Sequence, residues 1–347
     1  MRHIITIVII TSIFILALLL VNPIRTILSF RKIEGFPAYE MRYYGSYQKY
    51  YHFLPQPLKG NRGKRSLVLL ENFRESQACS IFAATKGNDK YMGRNRDISN
   101  PSTGLFLYTD SKDKYASITL VDLVQMGILE GDSPQDENIS FLKSIDLLLT
   151  PLLPTEGMNE KGVAIAKADV PEFVNIVEPE KQTVYFRTVM RAVLDNASST
   201  LEAIEIIQNL NTHFSGGGGH FLIADKTGDS AVIEFTDKGI VVLEKNNSYQ
   251  IITNFLLSKY GDRIEDPNFR NYDDIGSPGN RYYQINSELF ISKGDITSSE
   301  GMYYLRKSSN EMTKWSILFN LTTLELEAVF NKDYSNPYHI NRDFWRE

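Results

Sequence analysis

CSIFAATKGNDKYMGRNRDI, Cys79 to Ile98, is the stretch on which the reading of this 347-residue chain turns. It opens on Cys79, the only cysteine in the sequence. Cys79 to Ala84 has a strand-like pattern, Lys86-Gly87-Asn88-Asp89 supplies turn chemistry, and Lys90 to Asn95 reads as the returning strand. The expectation is a β-hairpin. Its far arm ends in Gly93-Arg94-Asn95-Arg96-Asp97, which would bring a guanidinium and a carboxylate back towards the thiol. The thiolate is the reactive form of cysteine, and a nearby arginine favours it. One hairpin could therefore hold a nucleophile, a charge that activates it and a carboxylate that orients its base. The competing reading is a small packed hydrophobe followed by a charged turn, and spacing alone leaves it open.

The rest of the composition narrows the classes. The length suits one large domain or two small ones, with no low-complexity run and no repeat. A single cysteine excludes an internal disulfide framework and a Cys-rich zinc site. Five scattered histidines, none paired at ligand spacing, argue against a His-rich metal centre. A net charge of −5 gives no reason to expect nucleic acid as a partner.

Upstream of the hairpin, residues 4–21 (IITIVIITSIFILALLLV) are apolar apart from threonine and serine. As a helix they would rise about 27 Å, close to the hydrocarbon thickness of a bilayer. No small-residue cleavage site follows, since Asn22-Pro23-Ile24-Arg25 comes next, so an uncleaved anchor is expected over a signal peptide. Residues 1–21 are accordingly read as a single-pass membrane anchor with the body outside the cytoplasm. Residues 22–78 carry a net charge of +6 and residues 79–347 a net of −12. The basic part reads as a juxtamembrane stalk attracted to anionic lipid, or as a pro-segment docked on the acidic body and ending at Ala78.

Downstream, Tyr115 to Val121 reads as a strand and Ile139 to Leu149 as a helix stopping before Pro151. Gly157 to Val170 (GMNEKGVAIAKADV) is a turn entering a strand. Two helices follow, Val184 to Leu194 and Ser199 to Leu210, the second opened by a Ser199-x-x-Glu202 capping box. Gly216 to Gly219 precede a strand and not a helix, so a phosphate cradle is excluded. Strands are expected at HFLIAD, SAVIEF, Ile240 to Glu244 and Tyr249 to Phe255. A last hairpin is expected from Lys314 to Asn320 and Leu324 to Phe330.

In order and spacing these stretches resemble the choloylglycine hydrolase and penicillin V acylase family of N-terminal-nucleophile (Ntn) hydrolases. Isopenicillin N acyltransferase and acid-ceramidase-like amidases are related to it. The resemblance runs from about Cys79 to Phe330 and rests on Cys79, on Arg94-x-x-Asp97, on the Gly157 to Gly162 segment and on the Thr253-Asn254 pair. SPGNRYYQI puts Arg281 at the family's Ser-x-x-Arg-aromatic helix start, one residue further from Ser277. The resemblance implies an α+β fold, a four-layer αββα sandwich with two antiparallel sheets face to face and helices outside, here preceded by the N-terminal transmembrane helix. It also implies that Cys79 becomes the N-terminus of a catalytic domain spanning 79–347 when the Ala78–Cys79 bond is cut. Its α-amino group would then be the base, Asp97 would orient that amine and Arg94 would favour the thiolate. Asn254 and the backbone N–H at Asp169, which stands where many relatives carry Asn, would hold the oxyanion, and Arg281 would hold the charged network together. The implied activity is hydrolysis of a linear amide C–N bond in a small-molecule N-acyl amide, through an acyl-enzyme and with no cofactor or metal. An acyltransferase on the same scaffold and an inactive membrane-tethered binding protein stay open, as do the substrate and the oligomeric state, a homo-oligomer included.

Overall fold

The computed structural model describes residues 20–48, 77–129, 139–172, 177–214, 217–245, 247–260, 264 and 275–345. In chain order its strands are β1 (Arg31–Lys32), β2 (Ala38–Tyr43), β3 (Gln77–Ala84), β4 (Tyr91–Ile98), β5 (Gly104–Thr109), β6 (Ser117–Asp122), β7 (Glu156–Asn159), β8 (Ala164–Val170) and β9 (Gln182–Tyr185). They continue as β10 (Leu210–His213), β11 (Gly218–Ala224), β12 (Ser230–Thr236), β13 (Gly239–Glu244), β14 (Tyr249–Ile252), β15 (Thr313–Asn320), β16 (Glu325–Phe330) and β17 (Tyr338–Ile340). The helices that cover the sheets are α1 (Phe186–Asn196), α2 (Thr200–Gln208), α3 (Ser277–Ser292) and α4 (Ser298–Ser308).

Side-chain alternation along the strands sets the layers. A nine-stranded sheet runs β1-β2-β5-β6-β7-β8-β11-β12-β13, and a six-stranded sheet runs β14-β3-β4-β15-β16-β17. In β5, Leu105 and Leu107 enter one core while Phe106 and Tyr108 enter the other; in β11, Phe221 and Ile223 separate from Leu222 and Ala224 in the same way. The larger sheet is therefore buried on both faces. The Leu105 core is closed by Val189 and Val193 of α1 and Ile204 and Ile207 of α2. The Phe106 core reaches through the smaller sheet, at Ile81 and Ile317, to Ile285 and Leu289 of α3 and Leu305 of α4. The result is an α+β, four-layer αββα sandwich, with the difference that the larger sheet is not wholly antiparallel, since β2 and β5 run parallel. Gly93 serves the packing directly, because a Cβ there would lie 2.4 Å from the Phe82 ring, which itself packs on Tyr304 of α4 at 6.2 Å.

Several local expectations shift. Pro151 lies inside a 3₁₀ helix, Ile145–Leu152, instead of ending an α-helix before it. The Ser199 hydroxyl accepts from Glu202 N, but the Glu202 carboxylate reaches the backbone N–H and hydroxyl of Ser198, so the reciprocal half of the capping box forms one residue early. A complete capping box sits instead at Thr297 and Glu300, opening α4, a helix that the sequence pattern alone does not place. At Gly218 a Cβ would meet the Glu172 carbonyl oxygen at 1.6 Å, so close backbone approach accounts for that glycine; residues 215–216 lie outside the described residues.

Residues 22–48, the described start of the basic N-terminal part, are built into the sandwich. β2 pairs in parallel with β5, Ala38 opposite Gly104 through Tyr43 opposite Thr109. Tyr39, Met41, Tyr43 and Tyr47 are buried in the Leu105 core, and the Tyr47 hydroxyl donates to Asp195 Oδ1 at 2.5 Å. Residues 49–76 of the expected stalk or pro-segment lie outside the described residues.

The expected transmembrane helix is corrected. Among the described residues no helix is long and apolar enough to cross a membrane. Residues 1–19 of the expected anchor lie outside the described residues, and residues 20–28 form a helical stretch whose end docks on the body through polar contacts. Tyr44 N–H donates to Thr26 Oγ1 at 2.9 Å, and Arg25 stacks over the Tyr44 ring at 4.0 Å. The single-pass anchor, and the membrane placement derived from it, are not retained.

Candidate active site

β3 and β4 form the expected hairpin, with Cys79 opposite Arg96 and Ile81 opposite Arg94. Residues directly opposite share a face of the sheet, so Cys79, Arg94 and Arg96 all project towards the larger sheet. Arg94 Nη2 lies 3.7 Å from Cys79 Sγ. Its Nη1 donates to the Thr155 carbonyl and to Glu156, which begins β7 of the opposite sheet. Arg96 makes a second crossing, with Nη2 2.9 Å from Asp122 Oδ2. Two buried ion pairs thus bridge the sheets beside the thiol. Burial opposes the charge on Arg94, yet Glu156 and the neighbouring thiol outweigh it and hold its pKa above the ordinary arginine value.

On the other side of Cys79 the contacts converge on Asn254. The Cys79 backbone N–H donates to Asn254 Oδ1 at 2.7 Å, and Arg281 Nη2 donates to the same oxygen at 2.8 Å. Asn254 Nδ2 donates to the Asp169 carbonyl at 2.8 Å. Arg281, near the start of α3, also donates to the Cys79 carbonyl and to Ser80 Oγ. Cys79, Arg94, Asp169, Asn254 and Arg281 therefore form one connected group. Asp169 meets Asn254 through its carbonyl, a contact separate from the oxyanion role expected of its N–H. Its carboxylate pairs with Lys167, so the charge introduced in place of Asn is compensated. Burial lowers the Lys167 pKa, and Asp169 offsets part of that.

Asp97 stands slightly apart. Its carboxylate accepts from Thr313 Oγ1 at 2.7 Å and Asn310 Nδ2 at 3.0 Å, and lies 3.8 Å from Arg281 Nη1. No Asp97 bond to Cys79 N forms in the intact chain, where that nitrogen is a peptide N–H inside β3. Burial pushes the Asp97 carboxyl up from 3.8 to about 6 despite the hydrogen bonds and the two arginines. A folded-state pKa above the unfolded one favours the protonated fold, so this contribution is complete below about pH 4 and is lost as pH rises through about 6. A shift of this size corresponds to roughly 3 kcal/mol. Urea denaturation of the uncut chain, kept whole by Cys79→Ala, should therefore show stability falling over that window relative to the same chain carrying Asp97→Asn. Identical pH profiles for the two would contradict the burial assignment.

Glu156, Lys167, Trp315, Asn310 and Thr313 join the site without having been expected from the sequence. Trp315 Nε1 donates to Glu156 Oε1 at 2.6 Å and so fixes the partner of Arg94. Lys167 was readable, because residues two apart on a strand share a face. The others come from elements far away in the chain and carry no local signal. Among the described residues no group of His, Cys, Asp and Glu could hold a metal ion.

The sequence pattern of a family described as acyl-coenzyme A:6-aminopenicillanic acid acyl-transferase matches residues 135–330, more than half of the chain. The chain belongs to this acyl-transferase family. Solved structures agree on the fold. A mutant of conjugated bile acid hydrolase from Clostridium perfringens is 15% identical with a TM-score of 0.55, the match covering 76% of this chain and 93% of that one. Penicillin V acylase from Agrobacterium tumefaciens is 14% identical with a TM-score of 0.55, covering 76% and 86%. These are Ntn hydrolases, and at such identities the likeness establishes the fold alone. No curated protein matches the chain by sequence. The family match joins α3 and its Arg281 to β7, β8 and Asn254, while Cys79 and Arg94 lie outside the matched range.

Proposed function

We propose that the protein is an Ntn amide hydrolase that uses Cys79 as its nucleophile after cleavage of the Ala78–Cys79 bond. The observation that carries the reading is the double hold on Cys79: Arg94 against its sulfur and Asn254 against its nitrogen. In the intact chain the Cys79 thiol would attack the Ala78 carbonyl, moving the acyl group from nitrogen to sulfur. Water would then open the thioester, leaving a carboxylate on Ala78 and a free amine on Cys79. An α-amino group ordinarily titrates at roughly 7.7–8.0, which suits a base near neutral pH. With an N-acyl amide bound, the amine takes the thiol proton as sulfur attacks the carbonyl, then gives it to the departing amine. Water hydrolyses the thioester with the same amine as base. Asn254 Nδ2 has a second proton beyond the one given to Asp169, which is available to the oxyanion.

The second reading is acyl transfer, favoured by the name of the matched family. In that case an amine attacks the thioester in place of water. The two separate on one assay: an N-acyl substrate with a chromogenic amine, run with and without a millimolar primary amine. Hydrolysis gives free acid as the main product in both runs. If N-acyl product replaces the acid in proportion to added amine, the hydrolase reading fails and the transferase reading stands.

A further inference from the structure

Behind the loop that carries Asn254 lies a buried pair that the mechanism above does not use. His220 of β11 and Glu234 of β12 are register partners, and both are fully buried. His220 Nε2 lies 2.7 Å from the Thr253 carbonyl. A carbonyl only accepts, so Nε2 carries the proton and donates it. His220 Nδ1 faces Glu234 Oε1 at 3.4 Å. The Glu234 carboxylate also accepts from Leu257 N at 2.6 Å and Ser258 N at 3.0 Å. Burial pushes its pKa up, but His220 and the Ser258 donors outweigh that and hold it below the usual range. Residues 253–256 belong to neither strand nor helix, so these bonds, with Thr253 Oγ1 donating to the Pro278 carbonyl at 2.9 Å, hold the segment at both ends.

We infer that His220 and Glu234 are positioning residues for Asn254: the imidazole anchors the residue before it, and the carboxylate anchors the turn after it. Neither touches Cys79; they act by fixing where the Asn254 amide points. A buried carboxylate held by two backbone N–H groups, with the imidazole ring packed beside it, is a rigid support for one short loop. The inference rests on the proposed role of Asn254, so the test carries a readout independent of turnover.

The experiment uses full-length protein labelled with [15N]asparagine, with the Asn254 side-chain NH2 signal identified by its loss in Asn254→Ala. Three variants are compared with wild type. His220→Leu removes the donor to Thr253, His220→Gln restores an N–H at the Nε2 position, and Glu234→Gln keeps the shape but turns one acceptor into a donor facing a backbone N–H. The Asn254 signal is expected to shift or broaden in His220→Leu and Glu234→Gln and to return towards wild type in His220→Gln. In turnover, His220→Leu should lose about tenfold in kcat, the size of one hydrogen bond, with KM within about twofold. His220→Gln should recover most of the loss. An Asn254 signal unmoved in Glu234→Gln and in whichever His220 variant folds would overturn the pairing, whatever the kinetics. If the signal moves but wild type shows no Cys79-dependent turnover, the functional reading fails while the positioning stands. A loss confined to KM would also overturn the inference.

Discussion

Cys79→Ala is expected to abolish amide turnover and to leave the chain whole. The sulfur is the only thiol in the sequence, and it lies buried with a guanidinium 3.7 Å away and an amide on its own backbone N–H. Removing it takes away the atom that forms both the proposed internal thioester and the proposed acyl-enzyme. Cys79→Ser separates the steps, since a hydroxyl retains the geometry with a weaker nucleophile and should cut slowly, if at all, while turnover stays below detection. The measurement is product formation beside denaturing electrophoresis of each purified variant. Turnover of Cys79→Ala at even a few per cent of wild type would remove Cys79 from the chemistry.

Glu156→Gln is expected to cost about 3–5 kcal/mol of stability, the penalty typical of breaking a buried ion pair from one side. Arg94 and Glu156 are both sequestered, and the carboxylate also accepts from Trp315. The amide keeps the shape but leaves the guanidinium without a compensating charge. Denaturant unfolding at unchanged slope would read the loss as a lower midpoint. The double variant Arg94→Met/Glu156→Leu should recover most of the stability, because it removes both charges, and should remain inactive because the contact to Cys79 is gone. A single-variant loss below about 1 kcal/mol would show that the pair is far better solvated than its burial implies.

The legible parts of the chain were those whose signal is local. The hairpin around Cys79 carries its turn in Lys86 to Asp89, and β4 runs on to Ile98, placing Asp97 opposite Ala78. α1 and α2 are amphipathic enough to show their periodicity, and the strands from β11 to β16 are short, largely apolar runs. Beyond the α3 start named through Arg281, the outer layer formed by α3 and α4 is hidden in the sequence because polar and aromatic residues interrupt its apolar face. Tyr283, Phe290, Ile291 and Tyr303 are exposed, which blurs the pattern. In the candidate site, Cys79, Arg94, Asn254 and Arg281 were named through motifs, and the structure brings them within hydrogen-bonding reach. Glu156 could not be named, since its pairing with Arg94 spans 62 residues and depends on one sheet stacking over the other. The N-terminal part illustrates the same limit. Charge contrast gave no sign that β2 is laid into the sheet with Met41 and Tyr43 in the core.

That placement sharpens the most direct test of the proposed mechanism, the N-terminus of the active species. Purified active protein would be analysed by intact mass under native and denaturing conditions, with N-terminal sequencing of each fragment. A body beginning at Cys79 is expected, together with a fragment ending at Ala78. The two should stay together natively, even in high salt, because strand pairing and apolar burial do not screen as surface charge does. They should separate on denaturation. If the fully active species instead still carries Ala78 joined to Cys79, the free-amine mechanism is contradicted.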